Sequence, residues 1–323
     1  MSYFHPETLK RISRLDLRAK HVVEGFLSGM HKSRNFGNSV EFRQHRQYVP
    51  GDDPKNVDWK VWAKQDRLYV KQYDIDTNLR CTLLVDASPS MRYGFGPFTK
   101  YDYGCTIAAS LAYLAMRQQD AVGCITFDKE TDSILPARMK QSHLAAIVAT
   151  MELDDPAVRE EKEKNVSKTK REDVLPFEEL LSQYKTIQPN LRETLREAAE
   201  TIPRHGLVVL ISDLLINRDG LFQGLNFLRS RNHDILVLHV LDDDELDFTL
   251  GGPTRFEGLE LPAMVRCDPR MLRKGYLAAL EEYLEEVRRG CSQVQADYAL
   301  FRTSTPLDAA LSAYLSRRKG RML

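Results

Sequence analysis

The stretch Cys81-Thr-Leu-Leu-Val-Asp86-Ala-Ser88-Pro-Ser90 carries an apolar run that stops on an aspartate and two hydroxyls. Cys81 to Val85 shows no alternation of polar and apolar positions, which suits a strand buried on both faces of a helix-covered parallel sheet. Ligands of open α/β sheets bind beyond the carboxyl ends of such strands. Asp86, Ser88 and Ser90 fall at that edge. A carboxylate and two neutral oxygens form a hard donor set suited to a divalent cation such as Mg²⁺, with part of its shell left open. The plainer alternative is a capped turn, since Asp and Ser begin helices in many proteins.

Working outward, Gly206 to Ser212 reads as a second apolar strand and Ile235 to Val240 as a third buried strand. The second also ends on an acid, Asp213. If the strands that end in Asp86 and Asp213 are neighbours, two carboxylates share one sheet edge. They repel there unless a cation lies between them or one takes up a proton. Between the strands, helical spacing is read at 101–117, 142–151, 190–201, 220–231 and 268–291, with further strands at 121–127 and 298–301 and a closing helix at 306–317. This alternation predicts an α/β, doubly wound, mostly parallel sheet. Ahead of it, 8–30 reads as a pair of short helices and 39–48 and 68–73 as strands. That gives an N-terminal helix/strand subdomain over 1–78 and a main domain over 79–323. Two segments break the alternation: a charged insertion at about 154–185 and a hairpin at 242–261 around Gly251-Gly252-Pro253.

Composition narrows the classes. The chain has 323 residues with 46 basic and 46 acidic side chains, so nothing favours strong nucleic-acid binding. Apolar residues make up 42%, enough for a substantial core. No apolar stretch approaches bilayer length, and Met1 to Glu7 lacks the features of a signal peptide. Five cysteines show neither a C-x-x-C pair nor zinc spacing. These features predict a reduced, soluble, cytoplasmic protein without membrane insertion.

Catalytic alternatives are poorly supplied. There is no G-x-x-x-x-G-K-S/T loop, no H-E-x-x-H and no G-x-S-x-G elbow. Ser88 or Ser90 as a nucleophile needs a placed base, and His143, His205, His233 and His239 are scattered. The residues therefore predict a protein that is not an enzyme.

Several ordered strings also resemble a known family. Ser39-Val-Glu-Phe-Arg, Tyr48-Val-Pro-Gly-Asp-Asp-Pro, Val57-Asp-Trp-Lys-Val-Trp-Ala and Asp66 to Tyr73 are similar to segments of the bacterial domain-of-unknown-function-58 proteins. So are Thr77-Asn-Leu-Arg, Leu84 to Met91, Asp297-Tyr-Ala-Leu and Thr303 to Leu311. The resemblance implies a von Willebrand factor A-like domain of Rossmann-type topology, whose D-x-S-x-S motif belongs to a metal-ion-dependent adhesion site. On that basis Asp86, Ser88, Ser90 and Asp213 are the metal ligands, and the metal is Mg²⁺, with Mn²⁺ or Ca²⁺ as other candidates. A partner's carboxylate would complete the shell.

The resemblance also implies a protein partner, a MoxR-type AAA+ ATPase or its substrate, in assembly or chaperone-like work. One position departs from the pattern: where relatives carry a threonine ligand, this chain has Pro189, which offers no side-chain oxygen. Thr186 and Thr194 lie nearby along the chain, and water replaces a hydroxyl around Mg²⁺ readily. The expectation is a non-enzymatic interaction module. Its rivals are a metal-independent scaffold that binds through Trp59, Trp62, Tyr69 and Tyr73, aromatics whose favoured plainer role is to pack that subdomain onto the sheet, and a metal-assisted hydrolase.

Overall fold

The structure is a computed structural model that describes residues 14–30, 42–50, 52, 57–65, 67–73, 79–128, 131–140, 142–158, 191–215, 217–260, 264–308 and 312. In chain order it contains α1 (Leu15–Met30), β1 (Phe42–Gln47), α2 (Trp59–Gln65), β2 (Tyr69–Tyr73), β3 (Arg80–Asp86), α3 (Lys100–Arg117), β4 (Ala121–Phe127), β5 (Thr131–Arg138) and α4 (Ser142–Leu153). There follow α5 (Leu191–Thr201), β6 (Leu207–Ser212), α6 (Arg218–Ser230), β7 (Asp234–Leu241), α7 (Asp243–Asp247), β8 (Thr254–Glu257), β9 (Met264–Cys267), α8 (Pro269–Gln293) and β10 (Asp297–Arg302).

The central sheet has the order β10-β7-β6-β3-β4-β5, and every pair is parallel except β4 with the edge strand β5. This is the Rossmann-type order with its direction reversing between β3 and β6. The apolar run read from the sequence is β3, whose residues from Cys81 onward are buried on both faces. On one face α3 packs so near β6 that a Cβ at Gly104 would lie 3.1 Å from Ile211. Tyr101 Oη on α3 donates to the Met151 carbonyl of α4 at 2.7 Å. On the other face α5, α6 and α8 bring Leu195, Leu221, Leu225, Leu228 and Val287 against Leu84, Val208, Leu210, Ile235 and Val237. Both faces are thus covered by helices, as the unbroken apolar strands require.

Several expectations are adjusted. Of the 8–30 segment, Leu15–Met30 forms one helix, and residues 8–13 lie outside the described residues. Strand β5 was not anticipated: its half-buried positions include Thr131 and Ser133 while Ile134 and Pro136 are exposed, so the residue types do not alternate as the burial does. The 242–261 segment begins with helix α7, and the hairpin strands are β8 and β9, with the second beyond Leu261. The charged insertion from 159 on, Thr186 and Pro189, and most of the closing helix lie outside the described residues.

The chain separates into two units, residues 29–78 and residues 1–28 with 79–323. In this division α1 groups mainly with the large unit. Its Leu15, Ala19, Val22 and Val23 are buried, and Arg18 donates to Thr106 Oγ1 on α3 at 3.0 Å while lying over the Phe98 ring. In the small unit β1 pairs antiparallel with β2, and Trp59 and Trp62 are exposed, edge to face on each other. No helix among the described residues is long and apolar enough to cross a membrane.

Candidate functional site

The reversal of strand order between β3 and β6 places their carboxyl ends side by side. Val85 pairs with Ile211, so Asp86 and Ser212 leave the sheet at one level. The Ala87 N–H still reaches the Phe127 carbonyl of β4 at 2.7 Å, which carries the ladder one residue past the strand. Asp86 Oδ1 then accepts from the Ser88 N–H at 2.9 Å, folding the chain back over the carboxylate. Pro89 opens a 3₁₀ turn over Pro89–Arg92, where its fixed φ and missing N–H cost nothing. That turn brings Ser88 Oγ and Ser90 Oγ to 3.0 Å from each other. Asp86, Ser88 and Ser90 are all buried.

The end of β6 supplies the other half. Ser212 Oγ donates to Asp86 Oδ2 and accepts from the Leu214 N–H at 2.9 Å. Leu214 itself is in the left-handed region at φ 53°, a conformation that costs a residue with a Cβ about 1–2 kcal/mol. Its neighbours hold it there. Tyr283 Oη of α8 donates to the Leu214 carbonyl, and the Leu215 N–H donates to Asp213 Oδ1 at 3.2 Å. His239 of β7 lies 2.8 Å from the Asp213 carbonyl through Nε2 and 2.8 Å from Tyr298 Oη through Nδ1. A carbonyl only accepts, so the proton sits on Nε2 and Nδ1 accepts from Tyr298. Burial lowers the His239 imidazole to about 4, outweighing the pull of Asp213, and the ring is neutral.

A cation from the chain itself enters this cluster. Lys100, fully buried at the first position of α3, donates from Nζ to Asp213 Oδ2 and to Glu245 Oε1 of α7, each at 2.7 Å. Thr99 caps the helix by accepting from the Asp102 N–H at 3.0 Å. Glu245 closes a capping box at the start of α7 through its other oxygen, which accepts from the Asp242 N–H at 2.8 Å.

The charges follow from this pairing. Burial alone would raise Asp213, but the Lys100 ammonium overrides it and holds the carboxyl below its ordinary range. Burial would lower Lys100, yet its two carboxylates together raise it above an ordinary lysine. Asp86 has no such cation. Burial and then the Asp213 charge push it up to about 7, against the opposing hydrogen bonds from Ser212 and Ser88. Glu260, between β8 and β9, is raised by burial and then by the Asp213 charge, against an opposing pull from Ser90.

All four residues singled out in the sequence therefore converge. Asp86, Ser88, Ser90 and Asp213 lie at one sheet edge, with the two hydroxyls 3.0 Å apart and the Ser88 N–H donating to Asp86. Of the scattered histidines, His239 borders the cluster, and both its nitrogens are engaged away from the serines. Thr194 is a buried residue of α5. Sequence reading missed Lys100, Ser212, Glu245 and Glu260. Lys100 did leave a trace: a lysine in the first turn opposes the helix dipole and calls for a carboxylate partner.

The donor set fits a hard divalent cation. Two hydroxyls stand beside a buried carboxylate that lacks a counter-ion and faces a second acid, which is the arrangement such an ion relieves.

Comparison with known proteins places the chain. The uncharacterized protein Rv1480 of Mycobacterium tuberculosis is 25% identical over 324 residues, covering 98% of this chain and 91% of that protein. Protein Mb1516 of Mycobacterium bovis matches to the same extent. Among solved structures, BatB from Bacteroides thetaiotaomicron aligns with 74% of this chain and 98% of its own at 15% identity, TM-score 0.44. The SpRpn10 VWA domain aligns with 73% of this chain and 94% of its own at 9% identity, TM-score 0.33. The family described as "Protein of unknown function DUF58" matches residues 44–285, a span that takes in β3, the D-x-S-x-S turn and Asp213, and the chain belongs to that family.

Proposed function

We propose that this protein is a non-enzymatic interaction module that uses the β3/β6 sheet edge to hold a divalent cation and, through it, an acidic group of a protein partner. The observation that carries this reading is the meeting of Asp86 and Asp213 at the strand-order reversal, beside the Ser88 and Ser90 hydroxyls, which lie 3.0 Å from each other. Ser88 and Ser90 would hold the ion directly. Asp86 would supply the charge that its raised pKa shows to be uncompensated, and Asp213 would add the charge that Lys100 does not take. A bound Mg²⁺ would supply a Lewis-acidic position for a partner's carboxylate. The partner we favour is a MoxR-type AAA+ ATPase or its substrate, in the cytoplasm, on the strength of the family resemblance.

Titration calorimetry of the intact protein with Mg²⁺, beside Asp86→Ala, tests the reading. Saturable binding in the wild type that vanishes in Asp86→Ala is expected. Equal heats in the two proteins, or none in either, would refute it.

A further inference from the structure

Lys100 is the buried charge that this reading leaves without a task. Its ammonium is fully enclosed, yet a lysine in the interior is stable only when paired. Here it bridges two elements distant in sequence, binding Asp213 at the end of β6 and Glu245 in α7 at 2.7 Å each, with the Tyr93 ring 5.8 Å away. The backbone of α3 tethers it there. Of the Asp213 oxygens, Oδ2 faces the ammonium and Oδ1 accepts from the Leu215 N–H, so both are engaged before any external cation arrives.

We infer that Lys100 is a built-in counter-ion that neutralises Asp213, keeps the sheet-edge site assembled without metal, and thereby sets how weakly that site binds a divalent cation. The inference rests on the metal-binding reading above and deepens it. Asp213 and Glu245 face one ammonium. Removing that ammonium returns Asp213 to the site as a full negative charge and removes a positive charge that repels the ion. Both effects act in a dry environment, where unit charges a few ångströms apart interact strongly. A site built this way folds before it is loaded, and Asp86, whose carboxylate has no such partner, is left as its main anionic donor.

The test is Mg²⁺ titration by calorimetry on wild type, Lys100→Met and Lys100→Met/Glu245→Gln, with circular dichroism of each in chelator and in Mg²⁺. The double variant removes the ammonium together with one of its two carboxylates, so the net charge of the cluster is unchanged while Asp213 is released. The expected result is at least about tenfold tighter Mg²⁺ binding in either variant. A variant that is unfolded in chelator and folds on adding Mg²⁺ gives the same support. Equal affinity in wild type and variants would overturn this inference and leave the metal-binding reading standing. Absence of Mg²⁺ binding in all three would overturn both. Two variants that stay unfolded at every Mg²⁺ concentration would also overturn it, because the ion would then not replace the ammonium.

Discussion

Ser212→Ala isolates the joint between the two halves of the site. In the folded protein this fully buried hydroxyl donates to Asp86 Oδ2 and accepts from the Leu214 N–H at 2.9 Å. Alanine removes both bonds and leaves almost no cavity, so packing contributes little to the change. A hydrogen bond to a charged group is worth about 1.5–3 kcal/mol, and a buried N–H stripped of its acceptor costs about 1–3 kcal/mol. Since the two losses overlap, about 3 kcal/mol of destabilisation is expected, a large share of the stability of an ordinary domain. Urea unfolding in chelator, followed by circular dichroism, measures it. The same substitution in an Asp86→Ala background removes only the Leu214 share, so it should cost about 1–2 kcal/mol there. A cost below about 0.5 kcal/mol in the wild-type background, or the same cost in both backgrounds, would refute the reasoning. Either result would mean that Ser212 does not couple Asp86 to the Leu214 turn.

Other consequences can be measured on the same protein. His239 titrates at about 4 when folded against 6.5 when free, so the unfolded chain takes up its proton first as pH falls. Its contribution is complete above 6.5 and is lost toward pH 4, amounting to about 3 kcal/mol in all. Urea unfolding of wild type minus His239→Gln should show this slope, and a pH-independent difference would count against it. Gly224→Ala places a Cβ 2.6 Å from Leu195 Cδ1 and 2.8 Å from Leu195 Cβ where α6 crosses α5, and should cost about 1–3 kcal/mol in the same assay. Gly275→Ala on the exposed side of α8 meets nothing within 4 Å, and should instead stabilise by about 0.5–1 kcal/mol. Opposite signs for the two glycines are the decisive outcome.

What the sequence disclosed and what it hid divide along a physical line. The strands β3, β6 and β7 were legible because a strand buried on both faces must be apolar throughout, so their runs needed no periodicity to be seen. Asp86 and Asp213 were legible because each ends such a run. Strand β5 stayed hidden because an edge strand buries only one face, and its half-buried positions carry Thr131 and Ser133 while Ile134 and Pro136 lie on the exposed face. The exposure of Trp59 and Trp62 was hidden for a different reason. Large apolar side chains favour burial on average, but average preference does not say which of them a small unit has room to enclose.

The residues that tune the site were hidden for the deepest reason. Lys100 meets Asp213 across 113 positions and Glu245 across 145, and Ser212 meets Asp86 across 126. No local pattern encodes a partner at such separations; the fold creates it. A lysine in the first turn of α3 is locally unfavourable, and so is a leucine at φ 53° after Asp213. Both persist because tertiary partners hold them: two carboxylates for the lysine, and Ser212 and Tyr283 for the leucine. Local rules are broken together at one sheet edge, beside two acids and two hydroxyls. That coincidence supports the proposed site more firmly than the D-x-S-x-S spacing does, because a capped turn needs only the spacing and would require neither departure.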